Sequence, residues 1–500
     1  MVIKRILLLL FFFTSSLNSM GYYEFDKKLE DAYSSIISLH FSKAELLLGE
    51  EKTEKPNNEL VQLYSNYIDF LTAFISEDIK DFDILKKNTT KRIEGIVSNK
   101  GNSSSPFHLY VQAEMYIQLA LVRIKFQENI LSANEIYKAY KLIKRNEKLF
   151  PSFPLNKKIS GLLNVVIGAV PSQYQWLTKF AGLQGSISVG LNELNEDYRN
   201  LELTEFKAYR TELLFYLGNI YSAFSLTPDS INLFELMKPN AVENPLISYV
   251  YSGLLMKQGK NDDAIAIINN TLKSKSTYPL TVLYYKRGLA RLRSMDFESS
   301  DDFSYFLNHF KGANHIKSSF QKLAWIFLIR GDTINYKNQL SHCTASGSIL
   351  LEEDQEAYHE ALSGDIPNVF LLKSRLYFDG GYYNQSLLEI SGRKIEQFPR
   401  YKDQLEVTYR LGRIMQMTEQ INKAIIYFEM SIKNGSSSRL YYAANSSLQL
   451  GLIYEERNDY EKARSYFRKC LSMEISEYKN SINQKANAGL DRIKNIKVDD

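Results

Sequence analysis

Histidines, cysteines, paired carboxylates and a glycine–serine stretch are the residues of this 500-residue chain with the types and spacing that could do chemistry. The histidines are His40, His108, His309, His315, His342 and His359. A zinc site on a helix needs ligands at i and i+4, and no pair of these has that spacing. His342 beside Cys343 is the only close His/Cys pair, too few ligands to converge on a metal. GSISVG at 185–190 is neither the G-x-S-x-G of a nucleophile elbow nor a phosphate loop followed by Lys and Ser or Thr. No strand pattern precedes it, so Ser186 and Ser188 read as part of a tight helix-to-helix connection. Asp262 and Asp263, Asp301 and Asp302, and Glu352 and Glu353 fall at turns and helix starts, where they complement the positive helix end. Proton transfer is not their expected role. Asn88, Asn102, Asn269, Asn384, Asn434 and Asn445 stand in N-x-[ST] sequons, which matter only where exported proteins are glycosylated. No catalytic residue, metal or cofactor is expected, and the chain reads as a non-enzyme.

The elements behind these residues must therefore be read for architecture. Apolar residues make up 44% and charged residues 24%, the balance of a globular chain with a large core. A net charge of +4 over this length implies neither nucleic acid nor an anionic membrane as partner. Lys4 and Arg5 precede ILLLLFFF and then TSSLNS, the layout of a secretory signal peptide with cleavage expected near Ser19. The apolar run is too short to span a bilayer, no cysteine lies near the cleavage point, and no transmembrane segment is expected in the mature chain.

Internal spacing carries more. In YAANSSLQLGLIYEERNDYEKARSYFRKC, Leu450 and Gly451 are followed by Tyr454, Ala463, Phe467 and Cys470. The same offsets recur at Leu411, Gly412, Met415, Ala424, Phe428 and Ser431. Working backwards, the template fits around Ser374, Ala324, Gly288, Ser252 and Gly218, mostly 34 to 39 residues apart. QGKNDD, RGDT, DGGYY and ERNDY lie where a first helix must stop and a second begin, with Gly259, Gly331 and Gly381 suited to a left-handed closing conformation. The interval from 324 to 374 is longer, and LLEEDQEAYHEALSG within it could form one additional helix. EYKNSINQKANAGLDRI has the pattern of a terminal capping helix.

These residues resemble the tetratricopeptide (TPR) repeat family, whose period is about 34 residues. The resemblance implies an all-α fold in which helical-hairpin repeats form a right-handed α-solenoid. The expected division is a signal peptide at 1–19, an N-terminal helical region with degenerate TPR-like spacing at 20–200, a TPR array of about seven repeats at 201–475, and a capping helix and tail at 476–500. In the N-terminal region, FDKKLEDAYSSIISLHFSKAELLL reads as a helix pair turning near His40. ISGLLNVVIGAVPSQYQWLTKFAGLQGSISVGLNEL is loosely similar to the N-terminal helical region of mitochondrial outer-membrane and inclusion-clearance TPR proteins. Cys343 and Cys470 occupy template places for small buried residues, several repeats apart, and are expected to be free thiols.

In TPR arrays the first helix of each repeat lines a concave groove, and ligand contacts come from places offset from the core anchors. Mapped onto this chain, those places hold Tyr249, Tyr285, Arg293, Trp325, Arg375, Phe378, Tyr409 and Arg413. Aromatic and arginine residues are what binding hot spots favour. The resemblance thus implies a scaffold for a protein or peptide partner, and the signal peptide adds the expectation of export to the periplasm or peripheral association with the outer membrane. The other class of reading is a secreted glycan-binding helical-repeat protein that stacks exposed Trp and Tyr on sugars.

Overall fold

The computed structural model describes residues 22–99, 104–170, 176, 182–224, 230–274, 277–394 and 397–494. The expected signal peptide lies outside them, as do 171–175 and 177–181 within the segment 159–194, whose likeness to mitochondrial proteins is an expectation from sequence alone. Apolar residues recurring every three to four positions form helices because that spacing puts them on one face. Twenty-four α-helices form among the described residues, and the only bridge pairing is isolated, between Tyr22 and Asn58. None of the helices is long and apolar enough to cross a membrane. The described residues divide into two compact units, the first running to Ile220 with Tyr278, the second from Tyr221 to Ser274 and from Pro279 onwards.

The first unit comprises α1 (Lys27–Ile37), α2 (Phe41–Glu54), α3 (Leu60–Ser76), α4 (Ile79–Ser98), α5 (Pro106–Lys125), α6 (Asn129–Leu149), α7 (Asn156–Gly168), α8 (Ile187–Asn200) and the start of α9 (Arg210–Phe224). Successive helices pack as pairs, α1 with α2, α3 with α4, α5 with α6 and α7 with α8. The first pair turns at Leu39 and His40 and buries Ala32 and Ala44 completely. Local signals start several helices. The Asp26 carboxylate accepts from the Leu29 amide at 3.0 Å, and Ser105 caps α5 just ahead of a proline at its first position. Ser186 does the same for α8, accepting from the Val189 amide at 3.4 Å. The serine of GSISVG is thus a helix cap. Gly190 faces α7 so closely that a Cβ there would lie 2.4 Å from the Gly161 carbonyl oxygen.

The second unit continues with α10 (Ser230–Glu243), α11 (Pro245–Lys257), α12 (Asn261–Leu272), α13 (Val282–Arg293), α14 (Ser299–His309), α15 (Ile316–Ile329), α16 (Thr333–Ala345), α17 (Glu352–Ser363), α18 (Val369–Asp379), α19 (Tyr383–Ile390), α20 (Tyr401–Met417), α21 (Ile421–Gly435), α22 (Tyr442–Glu456), α23 (Tyr460–Leu471) and α24 (Lys479–Arg492). Six hairpins follow one another, α11/α12, α13/α14, α15/α16, α18/α19, α20/α21 and α22/α23. Each first helix carries its template residue buried, in order Ser252, Gly288, Ala324, Ser374, Gly412 and Gly451. This is a TPR-like α-solenoid, as the spacing predicts. α17 is the additional helix within the long interval, packed on α15 and α16 without a second helix of its own, and α24 caps α22 and α23.

Gly381 shows how tightly the hairpins approach. Its φ is +85°, and a Cβ there would stand 2.0 Å from the Gly259 carbonyl oxygen. The turn between α18 and α19 therefore meets the turn between α11 and α12, and Tyr382 seals the contact by donating to Asp262 at 2.6 Å while accepting from Asn261 at 3.2 Å. Only glycine satisfies both the left-handed backbone and the close approach.

Cys343 and Cys470 are both free and fully buried. Burial pushes each thiol up to about 12, which removes the reactive thiolate at neutral pH. Ellman's reagent is therefore expected to react with neither cysteine in the native protein and with two once it is unfolded without reductant. Fewer than two after unfolding would contradict the free-thiol assignment.

Candidate functional site

Three first helices, α15, α18 and α20, together with α17 and the segments 440–442 and 476–478, line a cleft of about 640 Å³ in the second unit. Its floor is built around Trp325, only 5% exposed. The indole Nε1 donates to Glu360 Oε1 at 2.9 Å, and the same carboxylate accepts from Gln321 at 2.6 Å and from the Tyr336 hydroxyl at 3.0 Å. Two cations stand over the indole ring, Lys322 at 3.9 Å from one turn earlier in α15 and Arg375 at 4.5 Å from α18. Burial lowers the Lys322 ammonium to about 8, and the neighbouring Arg375 charge pushes the same way.

The cleft separates satisfied charges from unsatisfied ones. Glu406 is held by Arg410 at 2.6 Å and by the Tyr442 hydroxyl at 2.9 Å, and Arg400 pairs with Asp403 at 2.9 Å. Among the described residues, Arg375, Lys402, Glu356 and Glu477 make no hydrogen bond or ion pair, although all four line the same cleft. Burial raises the Glu356 carboxyl to about 7, with Glu477 and Glu352 adding repulsion.

Of the eight residues expected to face a groove, Trp325 and Arg375 line this cleft. The other six stand elsewhere. Tyr285 is 4% exposed, hydrogen-bonds Ser318 at 2.8 Å and stacks on His315, which places it in the seam between α13 and α15. Tyr409 is 6% exposed and accepts from Asn445 at 2.8 Å in the seam between α20 and α22. Large aromatics offset from the small anchors are drawn into these seams because each hairpin must bury its face on the next. Tyr249 lies under Lys286, whose ammonium is 3.4 Å from the ring centroid. Arg293 packs against Gly380. Arg413 lies over Phe378 at 5.1 Å.

Sequence reasoning missed a second cluster, sealed inside the first unit. Lys158 of α7 places its ammonium 3.0 Å from Glu114, 2.7 Å from Glu212 and 2.9 Å from the Tyr67 hydroxyl, with only 1% of its side chain exposed. Tyr33 donates to Glu212 at 2.7 Å, Tyr216 at 2.5 Å, and Tyr67 to Glu114 at 2.6 Å. Burial works against charge on Lys158, but the two carboxylates outweigh it and hold the ammonium above its ordinary range; burial raises Glu114. The available signal was a lysine on the apolar face of α7, in register with Leu155, Leu162 and Val165. With Lys158 and Glu114 each only 1% exposed and Glu212 4%, the cluster organises the core. Among those residues, no group of three or more His, Cys, Asp or Glu side chains could hold a metal ion.

Residues 444–474, covering most of α22 and all of α23, match the tetratricopeptide repeat. No curated protein matches the chain. A TPR repeat in an all-helical array of hairpins is typical of protein-interaction scaffolds.

Proposed function

We propose that the chain is an exported TPR scaffold that mediates protein–protein interaction or assembly of an envelope complex, and that the partner enters the cleft of the second unit. The observation that carries this is the cleft itself, built from successive first helices and retaining unpaired charges of both signs beside a buried indole. Buried aromatic and arginine groups at the centre of a concave surface supply most of the energy of protein interfaces. The Lys4–Ser19 segment supports export to the periplasm, with peripheral outer-membrane association as part of the same reading. The glycan reading is the weaker one, because a sugar stacks on an open aromatic face and Trp325 is 5% exposed beneath two cations.

Affinity capture from envelope fractions, followed by titration of the captured partner, tests the proposal. Trp325→Ala should weaken binding by about tenfold or more, the effect of removing a hot spot. Arg413→Ala, outside the cleft, should weaken it less. Unchanged affinity of an identified partner for both variants, each with a native helical spectrum, would sink the reading, and a positive glycan array with no protein captured would replace it.

A further inference from the structure

We propose that the cleft recognises an extended peptide carrying one acidic and one basic side chain close together, the acid seated on Arg375 with Lys322 beside it and the base between Glu356 and Glu477. This rests on the scaffold reading and names the chemistry of its partner. The argument is one of charge complementarity. Arg375 is fixed against the Trp325 ring at 4.5 Å, yet no carboxylate pairs with its guanidinium among the described residues. A guanidinium held this way presents a pre-oriented fork, which suits a carboxylate better than a flexible ammonium does. The opposite charge is equally unmet. Glu356 on α17 and Glu477 just before α24 repel each other in the same cleft, and neither has a cation within ion-pair distance, although Lys402 and Arg375 stand near enough to favour the ionised Glu356.

The protein contains the means to cancel these charges internally and does not use them. Elsewhere in the cleft Glu360 has found a donor in the indole, Glu406 in Arg410 and Asp403 in Arg400. Charges left unpaired beside such a network, with the Glu356 charge already disfavoured by burial, become directional once a ligand fills the cleft. A ligand of a single sign would satisfy one pair and be repelled by the other. One with both signs satisfies both, which makes the cleft selective against purely acidic and purely basic segments.

Glu356 makes the recognition pH-dependent. The groups facing it are Glu352 and His359 on its own helix, Arg375 on α18, Lys402 on α20, and Glu477 and Tyr478 ahead of α24. With its carboxyl at about 7, Glu356 is mostly protonated at pH 6 and mostly ionised at pH 8, so it holds a basic side chain better at the higher pH.

The test uses intrinsic fluorescence. The chain has two tryptophans, so Trp176→Phe leaves Trp325 as the sole reporter, lying directly beneath the guanidinium in question. The probes are capped hexapeptides of glycine and alanine bearing one Glu and one Lys, two Glu, or two Lys, with free glutamate and free lysine as a separate arm. The mixed peptide should change Trp325 emission and bind about tenfold more tightly than either single-sign peptide, with affinity rising about threefold or more from pH 6 to pH 7, where Glu356 ionises and Lys322 still holds its proton. Arg375→Gln should abolish the preference for the acidic residue. Glu356→Gln should keep binding of the two-Glu peptide while flattening the pH profile of the mixed one, a split that mere loss of structure would not produce. Equal affinity for all three peptides, wild-type behaviour of Arg375→Gln, or free amino acids binding as well as the peptide would each overturn the proposal. A partner captured from the envelope that binds Arg375→Gln and Glu356→Gln like the wild type would remove this inference and leave the scaffold reading standing.

Discussion

Replacing Lys158 with methionine is expected to destabilise the first unit by about 3–5 kcal/mol, the usual effect of removing one partner from a buried ion pair. The ammonium sits between Glu114 and Glu212 at 3.0 and 2.7 Å, and its loss leaves two carboxylates sealed together with tyrosine hydroxyls and the more distant Gln118 amide, 3.5 Å from Glu114, as donors. They would repel each other, and at least one would have to take up a proton. Hydrogen exchange followed by mass spectrometry reads the result by region. Amides of α5, α7 and the start of α9 should lose protection in Lys158→Met while those of α20 to α23 stay unchanged. The triple variant Lys158→Met, Glu114→Gln, Glu212→Gln should recover part of the loss, because glutamines can still accept from Tyr33, Tyr67 and Tyr216 without carrying charge. A single variant within about 1 kcal/mol of wild type would mean that the carboxylates, and not the lysine, set the charge state of this core.

Phe467→Ala should produce a loss of similar size at the other end of the chain, about 3–5 kcal/mol for emptying the space of a buried phenylalanine. Phe467 is fully buried, and its ring is wedged between two glycines on different helices. A Cβ at Gly451 of α22 would stand 2.5 Å from one ring edge, and one at Gly489 of α24 would stand 2.5 Å from the ring tip. The ring therefore joins the last hairpin to its cap, together with Ala463, Cys470, Ile482 and Ala486. Loss of protection should be concentrated in α22, α23 and α24, because the buried cluster around Phe467 is drawn from these helices and the segments that follow α23 and α24. The complementary change, Gly451→Val, should cost about 1–3 kcal/mol by overpacking the same contact. If Phe467→Ala instead lowered protection evenly through the array, the last hairpin and cap would not be a separate cooperative layer.

How much of this was legible beforehand differs by element. Gly412 and Gly451 revealed the hairpins because a solenoid repeats one local packing problem, and each solution is written within about 34 residues of sequence. The left-handed turns at Gly259, Gly331 and Gly381 were legible for the same reason, with φ values of +71°, +85° and +85°. The groove assignments at Tyr285 and Tyr409 were not, because an aromatic on a first helix can face the cleft or the seam between hairpins, and the choice depends on how far each hairpin rotates against the next. The Lys158 cluster was invisible for a related reason. Its members, Tyr33, Tyr67, Glu114, Lys158 and Glu212, come from α1, α3, α5, α7 and α9, and no spacing links them.

The amino-acid sequence by itself determined that the chain is a stack of helical hairpins with an extra helix and a cap, since period, small anchors and turn residues are short-range properties. Only the tertiary structure decided which charges would be cancelled and which left open. Arg375 meets Trp325 across some fifty residues of sequence, and Glu356 meets Glu477 across more than a hundred. Coulomb energy depends on distance in space and on burial, and both are set only once distant hairpins have closed around the same cleft.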